Sequence, residues 1–138
     1  MDGETSGPGV DVPALRGVAG LDVLDIWEGV VARRVEGERI TLSVVELAPD
    51  SIVPEHRHPN EQLGIVLRGG LRFRVGDEER ELSPGDTWTI PGGVPHEVHT
   101  GPDGAVLIDV FSPPRRDWDA APRSGPRPPV WPADGEPA

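Results

Sequence analysis

Between Val23 and Phe111 no stretch of this chain sustains a helical period; short apolar runs alternate with clusters of turn residues. Leu71, Phe73 and Val75 alternate with Arg72 and Arg74, the pattern of a strand with one apolar face. Breaks fall at Glu36-Gly37-Glu38, Gly69-Gly70, Gly76-Asp77, Ser83-Pro84-Gly85, Pro91-Gly92-Gly93 and Gly101-Pro102-Asp103-Gly104. Strands are expected near Gly29–Val35, Ile40–Leu47, Val53–His58, Gln62–Leu67, Leu71–Val75, Arg80–Leu82, Thr87–Ile90, His96–His99 and Ala105–Phe111. Many short strands at this spacing predict an all-β sandwich or barrel.

The 138 residues suffice for one domain with a real core. Net charge is −11 and every cation is an arginine, which argues against nucleic acid and anionic membranes as partners. With no charged-then-apolar leader and no apolar run of spanning length, the expected location is the cytoplasm. The absence of cysteine removes disulfides and thiolate ligands. Three regions are expected: a flexible N-terminal arm over 1–20, the β domain over 21–116, and a Pro-rich tail over 117–138. The tail holds Pro126, Pro128, Pro129, Pro132 and Pro137, so polyproline-like or disordered structure is expected, with Trp118 or Trp131 available to dock on the barrel or a partner.

Three of the four histidines sit in two short motifs about forty residues apart. The first runs Pro54-Glu55-His56-Arg57-His58-Pro59-Asn60-Glu61-Gln62, and the second runs from Gly85 through Pro91-Gly92-Gly93-Val94-Pro95 to His96. Residues two apart on a strand share a face, so His56 and His58 can address one point, and Gln62 shares their parity if the strand resumes after Pro59-Asn60. Glu61 competes with Gln62 as the fourth donor but is expected to face away, as is His99, three residues past His96. Neutral imidazoles suit zinc, copper, iron or nickel. Gly92-Gly93 reads as a turn, since no helix follows to make a phosphate loop.

These two motifs resemble those of the cupin superfamily. His56, His58 and Gly69 match the first family motif, with Asp50 in place of its first glycine and Gln62 in place of its glutamate. Gly85, Pro91, Gly93 and His96 match the second, with Thr100 in place of its asparagine. The resemblance implies a double-stranded β-helix, or jelly roll, and one divalent ion held by His56, His58, Gln62 and His96. Zinc is the first choice, with nickel, iron and manganese behind it. A neutral Gln62 leaves the ion its full charge, which favours redox-neutral chemistry through an enolate.

Asp109-Val110-Phe111-Ser112-Pro113-Pro114-Arg115 forms a second constellation. Asp109 and Phe111 share parity, and the two prolines turn the chain so that Arg115 can fold over a pocket mouth. An aspartate between Ile108 and Val110 suits a polar cavity better than a purely structural role. The stretch resembles two groups of small cupins, the aromatic polyketide cyclases of the resistomycin type and the uronate-ketonising KdgF group. That resemblance assigns catalytic roles to Asp109, Phe111 and Arg115. Composition and an apolar lining expected from Val66, Phe73, Trp88 and Phe111 favour aldol-type closure of an aromatic polyketide. Ketonisation of an unsaturated uronate, a metal-dependent dioxygenase and a non-catalytic small-molecule-binding cupin are the alternatives. Arg68, Arg72 and Arg74 read as solvated sheet-face residues, and Trp88 as core. A small-molecule substrate is expected, and pairing into a homodimer through sheets and terminal arms.

Overall fold

The computed structural model describes residues 13–133. Nine strands run β1 (Val23–Trp27), β2 (Val30–Glu36), β3 (Thr41–Leu47), β4 (Ile52–His56), β5 (Glu61–Val75), β6 (Glu78–Leu82), β7 (Thr87–Ile90), β8 (His96–Ser112) and β9 (Arg123–Ser124). No helix among the described residues is long and apolar enough to cross a membrane.

Two strands are much longer than the apolar runs suggested. β5 continues through Gly69-Gly70 and β8 through Gly101–Gly104, joining what the turn residues divide into separate strands. They pair antiparallel from Glu61↔Ser112 to Val75↔His96, and the register shifts at Val66/Arg68 and Gly69/Leu71. Bulges of this kind bend a strand without ending its pairing, so each long strand serves both layers of the jelly roll. One layer runs β9-β1-β2-β3, then the second half of β8, the first half of β5, and β7. In the other, β4, the first half of β8, the second half of β5 and β6 lie side by side. Alternation then sends Leu71, Phe73, Trp88, Ile90, Val98, Leu107 and Phe111 into the common interior.

The tail is more ordered than the polyproline-like or disordered structure expected of it, and Trp118 docks on the barrel as the sequence allowed. Trp118, in a short 3-10 turn over Arg116–Ala120, is buried in the core. Strand β9 pairs with β1 at the sheet edge, ahead of the prolines that cannot donate to a ladder. Farther on, the buried Arg33 guanidinium donates to the carbonyls of Arg127 and Pro128 and pairs with Glu46, while Val130 N–H donates to Glu46 at 3.0 Å. Of the expected N-terminal arm, 1–12 lie outside the described residues, as does Pro137 of the tail; 13–20 form no strand.

Candidate metal centre

His56 closes β4 directly opposite His96, which opens β8, so backbone pairing alone sets two of the imidazoles side by side. Their ring centroids are 4.3 Å apart. His58 arrives by a different route from the one that strand parity suggests. β4 ends at His56, and residues 57–60 form a turn that swings His58 back toward the others, 5.0 Å from His96. The second motif clasps that turn: Gly93 N–H donates to His58 O at 2.8 Å. At Gly92 a Cβ would meet Pro59 O at 2.3 Å, so the close approach demands glycine.

Each ring has Nδ1 beside a backbone carbonyl two residues away. His56 Nδ1 lies 2.9 Å from Pro54 O, His58 Nδ1 3.1 Å from Asn60 O, and His96 Nδ1 2.9 Å from Val94 O. These bonds assign the proton to Nδ1 in all three neutral rings, which leaves the Nε2 lone pairs for the interior. One nitrogen from each ring falls within 4.8 Å of the others. His96 Nε2 is buried and has no hydrogen-bond partner. Burial lowers the pKa of all three, of His96 to about 4, and the nearby Arg115 guanidinium adds to the effect. They are therefore neutral at pH 7, the state that binds metal.

Gln62 comes from β5 and is buried, with Oε1 3.1 Å from His58 Nε2. Its amide orientation follows from the other end, where Nε2 donates to Asp109 Oδ1 at 2.9 Å. In the assigned tautomer Oε1 and His58 Nε2 are both lone-pair donors, and two such atoms in contact call for a cation between or beside them. The orphaned His96 nitrogen and this acceptor pair fit a divalent ion. Glu61, by contrast, is exposed, and His99 is exposed on the outer side of β8 beside Glu97. Arg72 and Arg74 pair with surface glutamates, while Arg68 donates to Val130 O.

Asp109 and Phe111 lie on the inner face of β8, and Arg115 follows at the exit turn. One narrow cavity, of about 50 Å³, is lined by His56, Gln62, His96, Asp109, Phe111 and Arg115 among others. Of the expected apolar lining, Phe73 and Phe111 face this space, whereas Val66 and Trp88 pack behind it. Asp109 Oδ1 accepts both the Gln62 amide and Trp88 Nε1–H, the latter at 2.8 Å. Burial pushes its pKa up to about 6, with the two donors holding it back, so the carboxylate is still ionised at neutral pH.

Arg115 is buried and lies 4.7 Å from the ring centroids of both Phe111 and Trp118. Its Nε and Nη2 donate to the two oxygens of Asp117 at 3.0 and 2.8 Å, and that pairing holds the Asp117 carboxyl below its ordinary range. Nη1 has no hydrogen-bond partner among the described residues. Asn60, Thr41 and Arg34 fix the turn behind it: Asn60 Nδ2 donates to Pro113 O and Pro114 O, Thr41 Oγ1 accepts Arg115 N–H, and Arg34 reaches Arg115 O.

Sequence reasoning did not single out Asn60, Asp117 or Thr41, named Trp118 only as a docking residue, and read Trp88 only as core. The Asn in the first motif and the acidic residue two past Arg115 were the available signals.

Similarity to known proteins agrees with this geometry. A family model described as the cupin domain matches residues 43–111, half of the chain, and the protein belongs to the cupin family. The pectin degradation protein KdgF of Dickeya dadantii is 33% identical over 75 residues, covering 54% of this chain and 68% of that protein. A germin-like protein of Morus alba is 32% identical over 87 residues, 58% of this chain but 42% of its own. Oxalate decarboxylase OxdC of Bacillus subtilis is 28% identical over 72 residues, of which 49% of this chain and 19% of that protein are covered. The chain thus spans less than half the length of two of these three relatives. Among solved structures, an RmlC-like cupin from Shewanella frigidimarina superposes with a TM-score of 0.72 at 23% identity, covering 77% of this chain and 96% of the other. KdgF from Halomonas sp. does so with 0.64 at 27% identity, covering 69% and 88%. The fold is the jelly-roll β-barrel, and the donor set together with these relatives supports a divalent metal and an enzymatic role.

Proposed function

We propose that this cupin is a metal-dependent isomerase that ketonises an unsaturated sugar acid. The carrying observation is the shared cavity, whose apolar walls carry one carboxylate, one guanidinium, an amide and two imidazoles of the three-histidine cluster. Similarity to two KdgF proteins supports the choice of substrate class. Ketonisation removes a proton from an enol oxygen and places one on the neighbouring carbon, so composition and oxidation level are unchanged. A divalent ion on the histidines and Gln62 supplies Lewis acidity toward the substrate oxygen. Asp109, ionised at neutral pH, buried and with Oδ2 free of any hydrogen bond among the described residues, takes the proton from the enol oxygen and delivers it to the neighbouring carbon. Arg115 receives the substrate carboxylate through Nη1, its remaining donors being held by Asp117. Phe111 and Trp118 keep water away from this pair, which strengthens both interactions.

Aromatic walls contributed by Trp27, Phe73, Phe111 and Trp118 favour the second reading, aldol closure of an aromatic polyketide. Against it stand the narrow space between those walls and the cation within it. Tag-free, metal-loaded protein given an unsaturated uronate should accelerate loss of the double-bond absorbance over buffer. Failure there, with turnover of a linear poly-β-ketone instead, would reverse the order of the two readings.

We further propose that two copies associate. Val35, Leu42, Val110 and Leu63 align in one cross-strand row on the outer face, and Val35, Leu42 and Leu63 are 50%, 38% and 45% exposed. An apolar row of this kind suits a second copy. Light scattering should give twice the chain mass at micromolar concentration; a monomer mass ends the idea.

A further inference from the structure

Trp88 is buried 5.0 Å from Phe73, ring centroid to ring centroid, and packing alone would account for a phenylalanine there. Two observations go beyond packing. Its indole N–H is directed at Asp109 Oδ1 at 2.8 Å, although the strand carrying it, β7, pairs with β5 and not with β8. And β5 gives up a side chain to let it through. A Cβ on Gly64, the residue opposite both Trp88 and Asp109, would fall 2.2 to 2.3 Å from three atoms of the indole. The ring therefore crosses the β5 backbone at the one position without a side chain among the four that pair with β7, and its nitrogen reaches the carboxylate on the far strand.

We propose that Trp88 is a positioning residue for Asp109, with Gly64 as the opening that admits it. A carboxylate on one strand can rotate about its last side-chain bond and offer either oxygen to the cavity. Here Oδ1 receives two N–H donors, from Gln62 on one side and Trp88 on the other, which anchor that oxygen in the wall. Oδ2 is the oxygen left for the substrate. Gln62 alone would leave the anchor tied to a residue that also faces the imidazoles; Trp88 supplies a fixed donor whose position is independent of that site. The inference rests on Asp109 acting in catalysis as proposed above, and it adds the group that aims it.

Trp88→Phe keeps the ring and removes only the donor. On metal-loaded protein turning over an unsaturated uronate, kcat should fall about tenfold or more, the scale of a lost hydrogen bond to a charged group. KM and metal content should stay close to wild type. In an Asp109→Asn background the same change should be nearly silent, because nothing remains to be aimed. An equal loss in both backgrounds, or a loss confined to KM, would reduce Trp88 to packing and overturn the proposal. A second arm does not depend on the substrate. The Trp88 indole proton, identified by its disappearance in Trp88→Phe, should exchange slowly and shift upfield in Asp109→Asn. An unmoved resonance would also overturn the proposal, whereas wild-type protein inactive on uronates but with the shifted resonance would sink only the substrate assignment.

Discussion

The two faces of β8 carry the same kinds of side chain to opposite ends. Outside, Glu97 takes Arg74 at 2.6 Å and His99 at 3.2 Å, and the hydrogen bonds from these partners, Arg74 foremost, hold its pKa down. Inside, Asp109 takes two neutral N–H groups and is pushed up by burial to about 6, while His96 is pushed down to about 4. A half-buried carboxylate at the rim paired with an arginine is a surface pair of small energetic weight. A buried carboxylate held by neutral donors, with no ion pair of its own, has its pKa raised by burial, which suits a group that must exchange protons. One strand thus builds an inert rim and a reactive interior from alternate residues.

The contrast is broken most severely by comparing its two histidines. His96→Ala should abolish tight metal binding and with it activity, whereas His99→Ala should leave both near wild type, as read by metal content and turnover. Equal losses would place the site elsewhere. Next in size is the pair of carboxylates. Asp109→Asn should lower turnover by about 10²-fold, the scale of a lost general base, with metal retained. Nearly full activity would return Asp109 to a structural role.

Acid stability of the metal-free protein sharpens the same comparison. His96 titrates near 4 when folded and at about 6.5 when unfolded, so between these values the unfolded chain holds more protons and stability falls on acidification. Asp109 acts in the other sense. Its folded pKa near 6 lies above the unfolded value of about 3.9, so acidification through that window stabilises the fold. Asp109→Asn should therefore steepen the loss of unfolding free energy between pH 6 and pH 4 in denaturant titrations. An unchanged slope would contradict the burial of the charge. The smallest effect belongs to the rim: Glu97→Gln should leave both stability and turnover near wild type.

What could be read in the residues alone follows from how local each determinant is. The alternation at Leu71–Val75, the glycine turn before His96 and an aspartate between Ile108 and Val110 are local, and they pointed to strands and inward-facing donors. β1 and β9 did not stand out, because β9 is two residues long and gains its place only by pairing with β1. The bends in β5 and β8 looked like chain breaks, since glycine marks a turn and a bulge alike. His56 and His58 converge, but by a turn after β4 and not by strand parity. Trp88, Asn60 and Asp117 gain their meaning from partners 21, 53 or 54, and 2 residues away. For the first two, only the closed barrel brings donor and acceptor together.

The central claim is that His56, His58, Gln62 and His96 hold one divalent ion. It is tested most directly by X-ray absorption on tag-free protein loaded with zinc and washed free of excess. One ion per chain is expected, with imidazole scattering from three rings and nitrogen distances of roughly 2.0–2.1 Å. Substoichiometric metal, or a shell of oxygen donors without imidazole scattering, would contradict it.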